Sequence, residues 1–593
     1  MTLLNRVRFG SHAAFAAVAG QLYERSGRGA TEAGCFVLGT ISGAEGVVHD
    51  VIYFDDLDPD AYRYRAISFN TATMGPLYDR CERDDLSILA DVHTHPCRSF
   101  QSPIDKAHPV VAVAGHIAIV LPYDGRYRAP HQIGAYVLQP DGDWVPHPNR
   151  SIDDLLGLNA APQSAAEFDR TELLLVHQDR TTEQRRALLN ALSIHIVASD
   201  EQCDSAAGQA AIITAVALSN RFARAGVHVS LGRNPPLAIA PATSLSDVVE
   251  MLGASLLEPV NPSASIVIGD VPSVPEGFTV RVIADGGEYG CAPASHQSRL
   301  SDAYVPGVLL GTALSVGEIF RRFVLGKIES VARLRTVRLF HPDEMCAVPS
   351  DFSDRLDAVW LAGFGHLGNA YAWCMALTPT MRPELLVQDR QRVDLANAGT
   401  QLFVVPADIG RRKTDVAKEQ LERLGFTVRT DDRELDGDFI ALDRSPTSII
   451  AGFDNTPARR ALSRSGAELI IDGGLGSTSA TFSSFLVTVL RDPKDAIDAF
   501  IDGGYVSNAE AFVDQAAFKE LDVSKDSKCG LLYPLADTAV AVPFVGVSLA
   551  AIALTQLVRV RFGLPVAPVI AGDSLAAAPL LEGLSETNTR TSK

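Results

Sequence analysis

The chain has 593 residues, and its 71 acidic side chains outnumber its 52 Lys and Arg side chains, which gives a formal net charge of −19. A chain of this length is too long for one hydrophobic core and is expected to form about three or four domains. The acidic balance argues against binding nucleic acid through its phosphates, because that requires a basic face. The eight cysteines include no C-x-x-C pair, which argues against a disulfide framework and fits a reducing cytoplasm.

In chain order, the pattern of apolar and polar residues predicts an α/β multidomain protein. Residues 1–145 alternate short apolar strands with two helices, which predicts a mixed α/β domain. Residues 146–166 are rich in proline, aspartate and asparagine and are predicted to form a linker. Residues 167–345 and 346–565 each alternate strands and helices in the manner of a doubly wound Rossmann-like layer. Residues 566–593 lack periodicity and are predicted to form a loose tail.

One apolar stretch is long enough to span a bilayer. Residues 538–558 carry no charge over 21 positions. Pro543 and Gly546 interrupt this stretch, and its first part has the pattern of an extended segment. We therefore expect a buried core helix and no membrane contact. The N-terminus lacks the apolar segment and cleavage site of a secretion signal.

Two histidines at the end of a predicted strand indicate a metal site. In "LADVHTHP", His93 and His95 are two residues apart, so their side chains share one strand face. Asp105 of "SPID" could add an oxygen ligand and leave a fourth position open, as at a catalytic zinc. "SPID" is also a good helix start, with Ser102 as N-cap and Asp105 closing a capping box. From these residues alone, both interpretations stay open.

The combination of "HTHP", "SPID" and the upstream "EAGCFVLG" resembles the metal motif of the JAB/MPN (JAMM) metalloproteases. That family hydrolyses isopeptide bonds to ubiquitin and trims ubiquitin-like tails. The resemblance implies a JAB/MPN domain in which each of five residues has a role: His93, His95 and Asp105 bind Zn2+, Glu32 is the general base on the activated water, and Ser102 helps to stabilise the oxyanion. The chain departs from the family because five residues, and not six, separate "HTHP" from Ser102.

A glycine-rich stretch indicates a nucleotide site. "DAVWLAGFGHLG" is an apolar strand that runs into G-x-G-x-x-G at Gly363, Gly365 and Gly368. The helix after it would direct its first N–H groups at a phosphate. The next strand ends at Asp389, 21 residues beyond Gly368, where a carboxylate can hold ribose hydroxyls. This pattern fits NAD and ATP equally well.

Three downstream segments, "DRQRVDLANAGTQLF", "DIGRRKTDVAKE" and "AGFDNTPARRAL", resemble the adenylation domain of the ubiquitin-activating enzymes, which include bacterial ThiF and MoeB. Those enzymes use ATP to adenylate the C-terminal glycine of a ubiquitin-fold protein. The resemblance implies ATP and Mg2+ as cofactors. It also implies roles for seven residues: Asp389 binds the ribose, Asn397 and Gln401 lie near the phosphates, Lys413 neutralises phosphate charge, Asp454 holds magnesium, and Asn455 and Arg459 support it.

The chain departs from this family at two positions. The family's N-x-x-R-Q run has Thr400 in place of its arginine, and Gln391 replaces the second aspartate of the family's D-x-D. Cations that could compensate are Arg411, Arg412, Arg185 and Arg186, the last two by reaching in from the central region as the family's arginine finger does. The central region has no glycine fingerprint, so we expect a degenerate, non-catalytic partner half.

Cys529 is the candidate nucleophile. It lies in "VSKDSKCGLLYPLAD", ahead of the apolar segment, where activating enzymes often carry a catalytic cysteine. Lys525 and Lys528 could lower its pKa and favour the thiolate. The alternative is a half-buried cysteine with no chemical role.

Both resemblances concern the C-terminal tail of a ubiquitin-like modifier. The first domain would cut after this tail, and the last would activate it with ATP and transfer it to Cys529. We expect a bacterial ubiquitin-like conjugation system with a separate modifier, a conjugating enzyme, and a cytoplasmic, homodimeric protein; such systems have been linked to antiphage defence. The alternatives are activation and processing of a sulfur carrier, and a catalytically dead scaffold.

Overall fold

The structure is a computed structural model that describes residues 3–62, 67–68, 71–149, 151–158, 169–296, 300–301, 303–327, 331–345, 356, 358–436, 438–453, 455–476, 478–492, 494–495 and 540–576. The chain forms two compact units. Unit 1 comprises residues 1–167 and 405–410, and unit 2 comprises residues 168–404 and 411–593.

The described strands of unit 1 form one mixed sheet. They are β1 Arg6–Arg8, β2 Gly34–Ser42, β3 Glu45–Tyr53, β4 Ser87–Thr94, β5 Ile117–Leu121, β6 Gly134–Leu138 and β7 Trp144–Pro146. Their order is β1-β3-β2-β4-β5-β6-β7, with parallel pairs β1–β3 and β4–β5 and antiparallel pairs elsewhere. The parallel β4–β5 pair is at the carboxyl end of β4, which is where His93 lies.

Short helices flank this sheet. The α-helices are α1 His12–Arg25, α2 Phe54–Leu57, α3 Gly75–Asp84, α4 Pro103–Ala107 and α5 Ile152–Leu155, and the 3-10 turns are Thr71–Met74, Tyr123–Gly125, Pro130–Gln132 and Pro406–Asp408. Helix α1 begins at Ser11, whose side chain accepts a hydrogen bond from Ala14 N. It buries Phe15, Leu22 and Tyr23, and its core cluster includes the sheet residues Val37 and Val92.

The predicted linker at 146–166 is wrong for residues 152–158. Four apolar side chains in this range are buried in the core of unit 1: Ile152, Leu155, Leu156 and Leu158. The high proline and aspartate content of the flanking residues hid this short apolar cluster. The Ser151 side chain accepts a hydrogen bond from Asp154 N at 3.2 Å, so Ser151 is the N-cap of α5 and not part of a linker.

The predicted boundaries of the last domain also need a correction. Residues 405–410 belong to unit 1, although they lie within the range 346–565 that the sequence assigned to one domain. Asp408 accepts from both guanidinium nitrogens of Arg126 at 2.7 and 3.1 Å. A Cβ on Gly20 of α1 would lie 2.7 Å from the Ala407 carbonyl oxygen, so only glycine allows this approach. Such long-range contacts are not visible in local patterns.

Unit 2 contains two sheets of identical topology among its described residues. The strands are β8 Ser193–Ala198, β9 Gly226–Leu231, β10 Ala254–Ser255, β11 Ala264–Ile268, β12 Thr279–Asp285, β13 Glu288–Pro293, β14 Arg335–Arg338, β15 Ala358–Ala362, β16 Glu384–Gln388, β17 Val428–Asp431, β18 Ser448–Ala451, β19 Leu469–Leu475, β20 Ser484–Leu490 and β21 Val569–Asp573. One sheet has the order β10-β9-β8-β11-β12-β13-β14 and the other β17-β16-β15-β18-β19-β20-β21. In each sheet, the first five strands in this order are parallel to one another. The sixth strand is antiparallel to the fifth, and the seventh is antiparallel to the sixth.

Helices connect these strands. They are α6 Arg170–His177, α7 Thr182–Ala191, α8 Asp200–Asp204, α9 Ala206–Ser219, α10 Leu245–Met251, α11 Val305–Phe323, α12 Pro342–Met345, α13 His366–Leu377, α14 Leu395–Thr400, α15 Lys413–Arg423, α16 Thr456–Ala461 and α17 Pro543–Arg561, with a 3-10 turn at Leu462–Arg464. The matching strand orders make the two halves of unit 2 copies of one doubly wound plan. The predicted α/β fold class is confirmed, and the hint of duplication in the sequence corresponds to this repeat.

Two long apolar helices pack together between the halves. Helices α11 and α17 each have 19 residues and each precede the last strand of their sheet. Tyr304, just before α11, shares a 3.0 Å hydrogen bond with Thr555 of α17. Helix α17 is long and apolar enough to cross a membrane by length and composition, and 94% of its apolar window is buried inside the protein. This is the packing of the core helix that the sequence predicted.

The predicted loose tail at 566–593 is wrong for its first residues. Strand β21 pairs with β20, and the carbonyl oxygens of Ser574 and Leu575 accept from Arg335 and Arg333. Strand β21 pairs with a segment about 80 residues earlier, and such pairing leaves little trace in local periodicity.

Candidate active sites in the two units

The three predicted zinc ligands of unit 1 come together in the structure. His93 lies near the carboxyl terminus of β4, and His95 lies just after this strand. Both histidines are buried, and Asp105 lies on α4. One nitrogen or oxygen atom from each lies within 4.8 Å of the other two. His95 Nε2 is 3.2 Å from Asp105 Oδ2. Two imidazoles and one carboxylate are ligands that zinc prefers.

A carboxylate that the sequence analysis missed orients these histidines. Asp91 is buried and bridges two rings, with Oδ2 2.9 Å from His93 Nδ1 and Oδ1 2.7 Å from His116 Nε2. Although burial acts to raise it, these two hydrogen bonds hold the pKa of Asp91 below its usual range. His93 Nε2 is buried and has no hydrogen-bond partner among the described residues, so it is free to bind a metal. This carboxylate–histidine arrangement is the usual support of a metal ligand.

The signal for Asp91 was present in the sequence. It lies two residues before His93 on β4, so both side chains are on the same face of the strand. His116 comes from the residue before β5, the parallel neighbour of β4. Its contribution depends on strand pairing, which the sequence does not show.

Ser102 and Asp105 form the predicted capping box at the start of α4. Ser102 Oγ accepts from Asp105 N at 3.2 Å, and Asp105 Oδ2 accepts from Ser102 N at 2.7 Å. Burial acts to raise the pKa of Asp105, but the hydrogen bond from His95 and the charge of His93 lower it to about 2. The short loop therefore delivers Asp105 to the histidines as cap and candidate ligand at once.

Glu32 lies beside the same cluster because of strand register. Gly34 on β2 pairs with His93 on β4, and Ala33 O accepts from Thr94 N at 2.9 Å, which brings Glu32 opposite His95. Burial raises the pKa of Glu32, and the positive charge that His95 can carry opposes this. A raised pKa suits a carboxylate that takes up a proton near neutral pH. The cluster of unit 1 thus fits Zn2+ by donor set, spacing and supporting hydrogen bonds.

In unit 2 the glycine-rich turn joins β15 to α13. Its three glycines differ in backbone conformation and in the space around the missing side chain. Gly363 has φ +87°, and its N donates to Gln388 O at 2.9 Å. A Cβ on Gly368 would lie 2.1 Å from the carbonyl oxygen of Gly363, whereas a Cβ on Gly365 would meet no atom within 4 Å. The open space at Gly365 lies beside the first N–H groups of α13, as a phosphate requires.

Asp389 and Asn369 hold this turn in place. Asp389 Oδ2 accepts from Phe364 N at 2.8 Å, and its Oδ1 accepts from Gln391 N at 2.7 Å. Asn369 is fully buried and donates from Nδ2 to the carbonyl oxygens of Phe364 and Gly365 at 3.1 and 3.0 Å. Asn369 escaped the sequence analysis because it sits inside an apolar helix and outside the glycine pattern.

Asn397 and Gln401, which were expected near the phosphates, also have structural roles. Asn397 closes a capping box with Asp394 at the start of α14. Gln401 is buried, and its Oε1 accepts from Asn369 Nδ2 at 3.3 Å. Thr400 lies between them and donates to the Ala396 carbonyl oxygen at 3.3 Å, so it adds no cation to the site.

Lys413 is connected to the site through Gln391. Its Nζ donates to Gln391 Oε1 at 2.7 Å, and the Gln391 backbone N binds Asp389. Lys413 is buried, so it is not an ordinary solvated lysine on a helix surface. Gln391, at the departure from the family's D-x-D, thus links Lys413 to Asp389, the carboxylate expected to bind ribose.

Three arginines considered as replacements at Thr400 already have partners. Arg411 pairs with Glu419 at 2.6 Å, and Arg412 pairs with Asp432 at 2.9 Å. Arg185 is buried and donates to Arg180 O and Thr182 Oγ1 at 2.8 and 3.0 Å. Arg186 is exposed on α7.

Arg170, which the sequence analysis did not consider, interacts with a residue at the start of α14. It is the first residue of α6, and its guanidinium interacts with the charge of Asp394 at the start of α14. Burial lowers the pKa of this guanidinium, and Asp394 opposes the shift. A Cβ on Gly399 would lie 3.0 Å from the neighbouring Asp169, so this segment packs directly on α14.

The expected magnesium region is partly described. Asn455 caps α16 by accepting from Ala458 N at 2.8 Å. Arg459 donates to Gly473 O at 3.1 Å and pairs with the buried Asp472 at 3.3 Å. Asp454 and Cys529 lie outside the described residues, so the predicted magnesium ligand and nucleophile stay predictions.

In the central half, the side chains of Ser199 and Gln202, which follow β8, lie against Gly269 at the end of β11. A Cβ on Gly269, at the end of β11, would lie 2.5 Å from both Ser199 Oγ and Gln202 Cγ. Gln202 is buried and donates to Leu300 O at 3.0 Å. The central half has no glycine fingerprint, and its role as a degenerate half stays a prediction.

Comparison with known proteins relates unit 2 to an E1-like protein. Residues 193–339 match the family model of the BilD N-terminal domain, and residues 356–564 match that of the BilD C-terminal domain. The bacterial E1-like protein BilD of Collimonas sp. (strain OK412) is 29% identical over 410 residues, which cover 65% of this chain and 86% of the relative. These matches support the E1-like part of the sequence interpretation.

A solved structure, the crystal structure of E. coli MccB with MccA-N7isoASN, is 15% identical and covers 37% of this chain and 63% of that chain, with a TM-score of 0.26. At that score the likeness supports no inference. The two family ranges do not include Glu32, His93, His95 or Asp105.

Proposed function

We propose that unit 2 uses ATP to activate the C-terminal carboxylate of a ubiquitin-like modifier. The observation that carries this proposal is the open, glycine-lined turn at Gly365, braced by Asp389 and Asn369, within the range that matches the BilD C-terminal domain. In the proposed reaction, the modifier carboxylate attacks the α-phosphate of ATP. An acyl-adenylate forms and pyrophosphate leaves.

The residues divide this work by chemistry. The first N–H groups of α13 bind phosphate oxygens, and Asp389 accepts from ribose hydroxyls. Lys413 is linked to Asp389 by two hydrogen bonds through Gln391, and its positive charge offsets that of the phosphates. Mg2+, when bound, would screen the triphosphate, and Asp454 with support from Arg459 would hold it.

Arg170 supplies a further cation in this proposal. Its burial beside α14 places a guanidinium at the helix that carries Asn397 and Thr400. The central half would then contribute a charge to the catalytic half. This fits an adenylation protein built from one active and one degenerate copy.

The later step needs a thiol. The Cys529 thiolate would attack the acyl-adenylate carbonyl, and AMP would leave as the thioester forms. A conjugating enzyme would accept the modifier from this thioester. The cytoplasmic location, the homodimer and the role in antiphage defence belong to the same proposal. A sulfur-carrier pathway would share the adenylation step and lack the conjugating enzyme.

Modifier-dependent exchange of pyrophosphate into ATP tests the proposed adenylation. We expect exchange with the wild-type chain and a ubiquitin-like protein, and a loss of at least about tenfold in Asp389→Ala, because the ribose contact is removed. The matched control is Asp436→Ala, an aspartate near β17 with no assigned role in the nucleotide site. No exchange with the wild-type chain would favour the scaffold alternative.

A second function is supported by the cluster of unit 1, and we propose a zinc-dependent hydrolase that cuts after a modifier tail. Asp91 is the observation that favours it, because a buried carboxylate that orients His93 has a clear purpose at a metal. Zn2+ would polarise the scissile carbonyl and acidify water. Glu32 would take the proton from water on its carboxylate and return it to the leaving amine.

Zinc content and cleavage together test this second function. Purified protein is expected to hold one zinc per chain and to cleave a modifier–peptide fusion. Glu32→Gln should retain the zinc and lose cleavage, whereas His95→Ala should lose both. Cleavage that persists in Glu32→Gln would contradict the assigned general base.

A further inference from the structure

The residue at the centre of the glycine-rich turn is a histidine, and the proposed function leaves it without a role. His366 is the first residue of α13, directly after Gly365. Neither of its ring nitrogens has a hydrogen-bond partner among the described residues, although both are shielded from solvent. Shielded polar atoms without partners are rare, because a buried donor or acceptor that is left unsatisfied keeps its full desolvation penalty.

The ring is held between two helix starts. A Cβ on Gly546, in the first turn of α17, would lie 2.4 Å from His366 Nε2, so the imidazole rests on the bare backbone of that turn. His366 and Gly546 both lie in first turns, so the positive ends of α13 and α17 meet at this ring. Both helix dipoles favour an anion at this place.

The ring also lies at the departure from the family pattern. It contacts the backbone of Thr400, the position at which the resemblance expects an arginine, and this contact acts to raise the pKa of the ring. Burial lowers the pKa of His366 to about 4, so the ring is neutral at neutral pH without a bound anion. A neutral imidazole still offers one N–H donor, and a nearby phosphate favours the protonated ring.

We propose that His366 is a phosphate ligand of the nucleotide site and takes the place of the arginine missing at Thr400. The proposal rests on the nucleotide site of unit 2 that is proposed above. The ligand is the phosphate chain of a nucleoside triphosphate, and its oxygens complete the hydrogen bonding of the ring. Gly546 contributes to the same phosphate site, because any side chain there would displace the imidazole of His366.

Binding of ATP and of adenosine to the full-length chain, each measured by titration calorimetry, tests this role. Adenosine uses the Asp389 contact and has no phosphate. Replacing His366 by Ala should weaken ATP binding by roughly 10- to 100-fold, as expected when a hydrogen bond to a charged group is lost. Adenosine binding should stay unchanged. Gly546→Ala should show the same selective loss, because it displaces the ring without altering it.

The variant His366→Ala/Thr400→Arg gives a rescue test. Restored ATP affinity in it would support the exchange of an arginine for a histidine. The proposal is overturned if His366→Ala binds ATP as tightly as the wild-type chain, or if it loses ATP and adenosine equally, which would indicate a purely structural ring. A wild-type chain that binds neither ligand would instead contradict the nucleotide site itself. Thermal unfolding of each variant confirms that it is folded.

Discussion

At the scale of single residues, the two candidate sites depend on polar groups that are held by other buried polar groups. Asp91 orients His93, and Asn369 fixes the carbonyl oxygens of the glycine turn. Neither is part of a motif, so neither was predicted. The cluster of His93, His95 and Asp105 and the glycines of the turn stand out in the sequence because their spacing is local. The residues that support them depend on which strands and helices become neighbours.

Asp91→Asn is expected to weaken zinc binding by roughly 10- to 100-fold, because an amide orients His93 less firmly than a carboxylate and adds no charge. Competition with a chromophoric chelator measures the affinity. Asp50→Asn is the matched control and should bind zinc normally. Asp50 lies on β3 of the same sheet, and its carboxylate pairs with Arg80 of α3. Equal affinity in the two variants would show that Asp91 does not support a metal ligand.

Arg170→Ala is expected to reduce pyrophosphate exchange by roughly 10- to 100-fold, because it removes a half-buried cation beside α14 that is proposed to offset phosphate charge. Arg186→Ala, which changes an exposed arginine of the next helix, should leave exchange unchanged. A loss in Arg186→Ala and not in Arg170→Ala would show that the sequence-based choice of finger was correct and this one wrong.

Asp472 predicts a pH dependence of stability. Burial raises its pKa to about 7, and Arg459 opposes the shift only in part. The folded carboxyl keeps its proton up to about pH 7, whereas the unfolded one releases it near pH ~3.9. The free energy of unfolding should therefore fall as the pH rises from about 4 to 7, by about 1.4 kcal/mol for each unit of the pKa difference.

Chemical denaturation of wild-type and Asp472→Asn protein at several pH values checks this expectation. The asparagine cannot ionise, so the difference in stability between the two proteins should move in favour of the variant across this window. A constant difference would mean that Asp472 is already ionised in the folded protein.

At the scale of elements, the glycine turn shows how one motif serves two purposes. Gly368 allows α13 to approach Gly363, and Gly365 borders open space in which the proposed phosphate would lie. Gly368→Ala should lower the free energy of unfolding by roughly 1–3 kcal/mol, because its Cβ would collide with a backbone carbonyl. Gly365→Ala should keep the stability and weaken ATP binding. Denaturation and ligand titration separate these effects, and a reversed pattern would contradict the assignment.

Local periodicity predicted the alternation of strands and helices in each α/β region, and α17 as a buried helix. It failed where a short apolar group is surrounded by polar residues or where a strand pairs with a distant one. Residues 152–158 and β21 are the two cases. Pairing between remote segments is decided by the packed core, which a local pattern does not record.

At the scale of the whole molecule, the described strands of unit 2 form two sheets with one strand order. A glycine-rich turn follows β15 in one sheet, whereas Ser199 and Gln202 follow the corresponding strand β8 in the other. Under the proposed function, this division would give a single chain one active and one supporting half. The sequence suggested the duplication but could not show it, because the copies share a topology and not a motif.

The most direct measurement of the central claim is mass spectrometry of the modifier after incubation with the full-length chain, ATP and Mg2+. Activation by unit 2 predicts a modifier that is heavier by one AMP at its C-terminal carboxylate, with no such adduct in Asp389→Ala. An unmodified carboxylate with the wild-type chain, although ATP and the modifier both bind, would contradict the account.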